Sequence, residues 1–264
     1  MTEEVLFALD VRGVATITLN RPAVLNAIDA ALVSGFNDAM AQAVDRKARV
    51  IVLEGTGSVF CSGADINYLR WAGSLSRDEN LADARQYAAM AEAVRAAPQP
   101  VVARVQGGAY GGGVALAAAC DIVIAGDSAS FAITEARYGF TPSLMVPYLL
   151  GRIGQRGCRR WCLTGETMPA AEALRIGMVD CIVADEALEG ETAKLVDGLL
   201  MNAPVALAES KDSIGENAQF PIDAAHREQS LAAFVDGRGS AQAAEGSAAF
   251  LEKRPPNWVP EGTG

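Results

Sequence analysis

The sequence predicts an α/β fold of mostly parallel strands, followed by a helical C-terminal region. Three observations carry this. Short apolar runs closed by glycine recur at Val50–Gly55, Val101–Gly108 and Asp121–Gly126, the pattern of strands buried on both faces. Helical stretches lie between them, as parallel crossovers require. After about Pro147 the pattern changes, and from Glu186 to about Lys253 the reading is almost wholly helical.

Taken in order, VLFALDVRGVATITLNRP reads as two strands around an Arg12-Gly13 turn, ending at Pro22. Asp29 is placed to cap a helix running to about Val44. VIVLEG is the first of the buried strands. A polar helical segment follows over about Arg77–Ala97, stopped by Pro98 and Pro100. VVARVQGG is again strand then glycine, GGGVALAAAC leads into a helix, and DIVIAG is the third such strand. One late strand is expected at Met178–Val183. These readings divide the chain into a core over 1–200 and a helical region over 201–264.

Composition narrows the function. The 264 residues are half hydrophobic and one fifth charged, enough for a sizeable core. A net charge of -10 with only four lysines argues against nucleic acid or an anionic membrane as partner. The first residues lack a basic stretch followed by a long apolar one, so no signal peptide is expected, and no apolar run reaches the roughly 18 residues of a membrane span. Five cysteines, most with apolar neighbours, read as free thiols in a reducing cytoplasm. No ligand spacing for a metal is found. Cys158 and Cys162 have no second pair, and the single histidine, His226, sits in a polar segment and reads as a solvated helix-face residue. Carboxylates and backbone amides are left as the chemical agents.

Two glycine-bearing segments follow buried strands, VFCSGADINYL (Val59–Leu69) and GGAYGGGVALAAACD (Gly107–Asp121). They lack the Gly-Lys-Ser/Thr of a phosphate loop, and Gly111-x-Gly113-x-x-Leu116 lacks the third glycine of a dinucleotide fingerprint. Tight helix-on-strand packing is one reading. The other is an oxyanion hole, with two free N–H groups aimed at one oxygen. Glu135, in FAITEARYGF, is a lone carboxylate in a mostly apolar run. Thr134 could cap a helix with Glu135 in its first turn, or Glu135 could be solvated or face Arg137.

These segments resemble the crotonase, or enoyl-CoA hydratase/isomerase, superfamily. NRPAVLNAI (Asn20–Ile28), FCSGADI (Phe60–Ile66), Gly107–Asp121 and AFLEKRPPNW (Ala249–Trp258) occur in the family's order and at its spacing. The resemblance implies a crotonase-like spiral of repeated ββα turns with a helical C-terminal region, assembled as a homotrimer or dimer of trimers. It implies an acyl-CoA thioester as substrate, with no cofactor besides the coenzyme A that the substrate carries. It assigns the oxyanion donors to the backbone N–H groups of Ala64 and Gly112, and acid/base work to Glu135. Leu25 and the segment Ser62–Ile66, including Asp65 and Ile66, would lie along the CoA arm, and Lys253 would meet its phosphates. The family's second carboxylate position is Ala115 here, so Glu135 would act alone, its pKa raised by burial among Phe131, Ile133 and Tyr138. The run Ser76–Met90, together with QGGAYGGGVAL and FAITEARYGF, is similar to bacterial methylglutaconyl-CoA hydratases. Arg70, Arg137 and Tyr68 are candidates, by side-chain type, to meet a distal carboxylate. Isomerisation or decarboxylation of an acyl-CoA is the alternative chemistry, and a family member that binds acyl-CoA without hydratase chemistry is the alternative outside it.

Overall fold

A computed structural model describes residues 3–218 and 223–261, with the side chain of His226 outside that description, so its expected solvated position lies outside the described residues. The chain builds two sheets. The larger has six strands in the order β1 (Val5–Leu9), β2 (Val14–Leu19), β3 (Val50–Gly55), β4 (Val101–Val105), β6 (Ile122–Gly126) and β9 (Cys181–Val183). Within this sheet only the β1–β2 hairpin is antiparallel, and every other pairing is parallel. Asp10 shapes the hairpin turn, its Oδ1 accepting from the N–H groups of Arg12 (2.8 Å) and Val14 (2.9 Å).

The smaller sheet holds β5 (Gly108–Tyr110), β7 (Ser130–Ala132) and β8 (Met168–Pro169). Single bridges extend it, pairing Cys61 with Ala109 and Ile28 with Ala64. Each turn of the spiral thus lays one strand in the large sheet and a short one in the small sheet, then departs as a helix: the crotonase fold. Val101–Gly108 is strand then glycine, as its sequence reads, with the strand ending at Val105. Gly107, at φ +62°, turns the chain from β4 into β5, and a Cβ there would stand 1.8 Å from the Ser58 carbonyl oxygen. The late strand is shorter than expected, three residues at Cys181–Val183.

The core follows the alternation of β3. Ile51 and Leu53 join the main cluster, beneath α1 (Ala30–Asp45), α3 (Arg77–Ala96) and α4 (Gly112–Ala119). Val50 and Val52 face a second cluster, with Leu188, Val196 and Leu200 of α7 (Leu188–Leu200). Asp29 does cap α1, accepting from the Leu32 N–H at 2.9 Å. Ser76 and Glu79 form a capping box on α3. Beyond β7 come α5 (Val146–Thr164), α6 (Ala170–Arg175), α7 and then the helices α8 (Pro204–Asn217), α9 (Ala224–Gly239) and α10 (Ala241–Glu252). Lys211 ties α8 to the core through Asp121 Oδ2 at 2.8 Å and the Gln99 carbonyl at 3.1 Å. Arg49 reaches the Leu200, Asn202 and Trp258 carbonyls at 3.1, 3.0 and 2.6 Å. Among the described residues no helix is long and apolar enough to cross a membrane.

One buried polar side chain joins the loops after β2 and β3. Asn26 is wholly buried and holds φ +56°. Its Oδ1 accepts from the Arg21 N–H at 2.8 Å, and its Nδ2 donates to the carbonyls of Thr56, Val59 and Phe60 at 2.9, 2.9 and 3.1 Å. Buried polar groups left unpaired cost about 1–3 kcal/mol each. Asn26→Ala therefore lowers the unfolding free energy by about 3 kcal/mol, measured by urea denaturation; an unchanged midpoint would show that the loops hold without it.

Candidate active site

The cleft forms where the loops after β3, β5 and β7 meet. Three backbone bonds align them. Tyr110 donates to the Cys61 carbonyl (2.9 Å), Gly111 to the Ala132 carbonyl (2.9 Å), and Ile28 to the Gly63 carbonyl (2.7 Å). The second bond places the turn beginning at Glu135 directly beside Gly111. The first two bring Gly63 against the Gly111–Gly112 turn. A Cβ on Gly63 would stand 2.8 Å from the Tyr110 carbonyl oxygen and 3.2 Å from the Gly112 nitrogen, so the two loops touch backbone to backbone.

That contact brings two amides together. Ile28 pairs with the residues flanking Ala64, accepting from Asp65 N–H at 2.8 Å and donating to Gly63, so the Ala64 N–H faces away from Ile28. Gly112 is the first residue of α4, where an N–H has no intrahelical acceptor. Neither amide donates a hydrogen bond among the described residues. Both favour negative charge, Gly112 with the dipole of α4 behind it.

Glu135 is the carboxylate of this cleft. Its Oε1 lies 2.8 Å from where a Cβ on Gly111 would be, so a side chain at that position would push the carboxylate aside. Its Oε2 is buried and has no hydrogen-bond partner among the described residues. Burial raises its pKa above the ordinary value, partly offset by a bond from its own backbone N–H. Phe131 and Ile133 are buried beside it as expected, but Tyr138 is 67% exposed and contributes little to that burial. The expected cap from Thr134 is also corrected. Thr134 makes no side-chain capping bond, and Glu135 opens only a four-residue 3-10 turn, Glu135–Tyr138.

A small apolar pocket of about 20 Å³ adjoins Gly112. Ile28, Tyr87, Met90, Ala115, Leu116 and Met145 line it. Ala115 places only a methyl group in the wall where the resemblance has its second carboxylate. Tyr87 was not singled out from the sequence. Its only signal there is a tyrosine in the middle of a polar helix, and it becomes visible once α3 packs on α4.

The other expected residues fall in two groups. Leu25, Ser62, Asp65 and Ile66 gather at the cleft's rim. The Ser62 N–H donates to the Leu25 carbonyl at 2.9 Å, Asp65 caps α2 (Ile66–Ala72) by accepting from Asn67 N–H at 2.9 Å, and Ile66 is 56% exposed. Arg21 steadies this rim through Asp29 at 2.8 Å and Asp65 at 3.7 Å. Lys253 is exposed at the end of α10, and no described bond links it to the cleft. The three candidates for a distal carboxylate do not converge on the pocket. Arg70 is exposed, Tyr68 donates to Asp83 Oδ2 at 2.7 Å, and Arg137 packs by Gly165 at the end of α5.

A two-sheet spiral whose glycine turns pair two free amides with a buried carboxylate defines the crotonase class of enzymes. The comparisons agree. Residues 10–261 match the model of the enoyl-CoA hydratase/isomerase family. A crotonyl-CoA hydratase of Syntrophomonas wolfei is 33% identical over 254 residues, covering 93% of this chain and 94% of the relative. A short-chain-enoyl-CoA hydratase of Clostridium acetobutylicum is 31% identical, covering 91% and 92%. The crystal structure of an enoyl-CoA hydratase from Shewanella pealeana superimposes with a TM-score of 0.92 at 31% identity, over 97% and 96% of the two chains. The chain belongs to the enoyl-CoA hydratase/isomerase family.

The raised pKa of Glu135 has a consequence for stability. The folded protein holds this proton more tightly than the unfolded chain does. Below about pH 4 neither state is ionised and nothing is lost; as pH rises through the folded pKa, ionising the buried group costs stability. Glu135→Gln is therefore more stable than the parent at pH 7, and the difference vanishes below about pH 4. Thermal unfolding across that range checks it; a variant less stable at pH 7 would mean the carboxylate is held by favourable contacts.

Proposed function

We propose that this chain is an enoyl-CoA hydratase that adds water across the 2,3 double bond of a short acyl-CoA thioester. The thioester oxygen sits between the N–H groups of Ala64 and Gly112, which hold the negative charge as it becomes an enolate oxygen. Glu135 takes a proton from the attacking water as its oxygen bonds to Cβ, and returns a proton to Cα. One carboxylate can do both when its pKa is above the ordinary range, since it must be a base first and an acid next. The observation that carries this reading is the buried, unpaired Glu135 oxygen beside the Gly111–Gly112 turn.

The CoA arm runs along Leu25, Ser62, Asp65 and Ile66, with Lys253 of this or a neighbouring subunit as a point charge for its phosphates. Coenzyme A then arrives with the substrate, and no further cofactor is called for. Exposed Phe234, Phe250 and Leu251 offer apolar surface for association, and the family resemblance makes that assembly a homotrimer or dimer of trimers. Four buried free thiols and a fifth exposed one suit a reducing cytoplasm. The lining of the acyl pocket includes no cation, so an uncharged short chain fits it better than methylglutaconyl-CoA, whose distal carboxylate would go unmatched there. The missing carboxylate at Ala115 favours isomerisation as the second reading, because that reaction needs only proton abstraction and return.

Loss of conjugated-enoyl absorbance on mixing with crotonyl-CoA, and separately with 3-methylglutaconyl-CoA, tests this. Crotonyl-CoA is hydrated faster. Glu135→Gln lowers kcat by about 10³-fold and leaves the affinity for butyryl-CoA nearly unchanged, and the parent's activity falls on the acid side as Glu135 is protonated, above the pH of an ordinary carboxylate. If neither substrate is hydrated while both bind and a 3-enoyl-CoA is converted, the isomerase reading stands instead.

A further inference from the structure

The wall opposite Glu135 carries one polar group that none of the assigned roles uses. Tyr87 projects from α3 onto the first residue of α4. A Cβ on Gly112 would stand 2.1 Å from its Oη and 3.3 Å from its Cζ, so the phenol rests directly on the Gly112 backbone. The ring is fixed from behind. It stacks on Tyr68 with centroids 6.4 Å apart and planes at 19°, and Tyr68 stacks in turn on Trp71 at 5.8 Å. Tyr68 spends its hydroxyl on Asp83. The Tyr87 hydroxyl makes no hydrogen bond among the described residues, although the residue is partly buried and packed against the core. Because the hydroxyl is not sealed in the core, it is open to the cleft, where a water can meet it.

Its neighbours show where that use lies. Glu135 Oε1 sits over Gly111 and Tyr87 Oη over Gly112. The Cα atoms of adjacent residues are about 3.8 Å apart, so the carboxylate and the hydroxyl stand over successive residues of one turn. They also feel one another: burial is the main cause of the raised Tyr87 pKa, and the charge of Glu135 adds to it. Ala115, in the same pocket wall, supplies no polar atom.

We propose that Tyr87 is a further catalytic residue of the hydration, its hydroxyl oxygen accepting a hydrogen bond from the attacking water so that the water is held between Tyr87 and Glu135. This rests on the hydratase reading above. Water has two protons and needs two acceptors if its lone pair is to face Cβ. Glu135 takes one. The other stays on oxygen throughout, bonded to Tyr87 Oη, and becomes the proton of the product's 3-hydroxyl group. The oxygen forms its bond to Cβ, the proton on Glu135 passes to Cα, and Tyr87 neither gains nor loses a proton. The neutral phenol does the positioning part of what a second carboxylate at residue 115 would do, without adding a like charge beside Glu135.

Tyr87→Phe removes only the oxygen and keeps the stacked ring. Expected are a kcat for crotonyl-CoA lowered roughly 10- to 100-fold, an unchanged KM and butyryl-CoA affinity, and a thermal midpoint equal to or above the parent's, because no bond is lost. Replacing Tyr87 by 3-fluorotyrosine leaves the shape but draws electron density from the same oxygen and makes it a poorer acceptor, so kcat falls while KM stays unchanged. A Tyr87→Phe enzyme as fast as the parent, or a fluorotyrosine enzyme with the parent's kcat, would overturn the proposal. A parent that hydrates no enoyl-CoA would instead remove the hydratase reading beneath it.

Discussion

Backbone meets backbone where the loop after β3 crosses the turn after β5, and the cleft depends on that contact. Gly63 lies against the Tyr110 carbonyl, closer than a Cβ could come, and close to the Gly112 nitrogen. Because nothing projects between them, the amides of Ala64 and Gly112 come to one place from different turns of the spiral. A side chain on either loop would separate them by its own thickness. Both Gly63 and Gly111 hold positive φ, +91° and +48°, which few other residues adopt. Asn26 supports the contact from below, fixing the chain at Thr56, Val59 and Phe60 just before the first glycine loop begins.

Around this rigid centre the protein tolerates unsatisfied chemistry. One oxygen of a buried carboxylate has no partner, and two amides donate to nothing among the described residues. Each opposes folding a little. They are sustained by a core in which β3 is covered on both faces, by α1, α3 and α4 on one side and α7 on the other. The division is spatial: apolar burial accumulates in the large sheet, while the unpaired groups collect where the small sheet ends.

Much of this was legible in the sequence, for identifiable reasons. A strand buried on both faces reads as a continuous apolar run, so β3 stood out. Helix caps use side chains with characteristic acceptors, so Asp29 marked the start of α1. The small sheet was not legible. Its strands have two or three residues, too few for any periodicity, and their pairing is decided by glycine turns remote in sequence. Glu135 was an ambiguous carboxylate until the family resemblance gave it a role. Tyr138 was expected to shield it because it is aromatic and near in sequence, yet the 3-10 turn carries its ring outward. Tyr87 lies 48 positions before Glu135, and no local pattern could have linked them.

The guanidinium of Arg49 bears on how the chain reaches this state. It sits just before β3, in the N-terminal part of the chain, yet it binds the carbonyls of Leu200 and Asn202 and, 209 positions downstream, that of Trp258. A ribosome delivers residues in order, so β2, β3 and β4 can pair while Arg49 still lacks these partners. A nascent chain would therefore carry an exposed, positively charged latch at the edge of a part-built sheet until its last helices emerged. Vectorial synthesis would close the molecule by bringing the C-terminal segment back to a site laid down near the start, a long-range contact of the kind that slows folding.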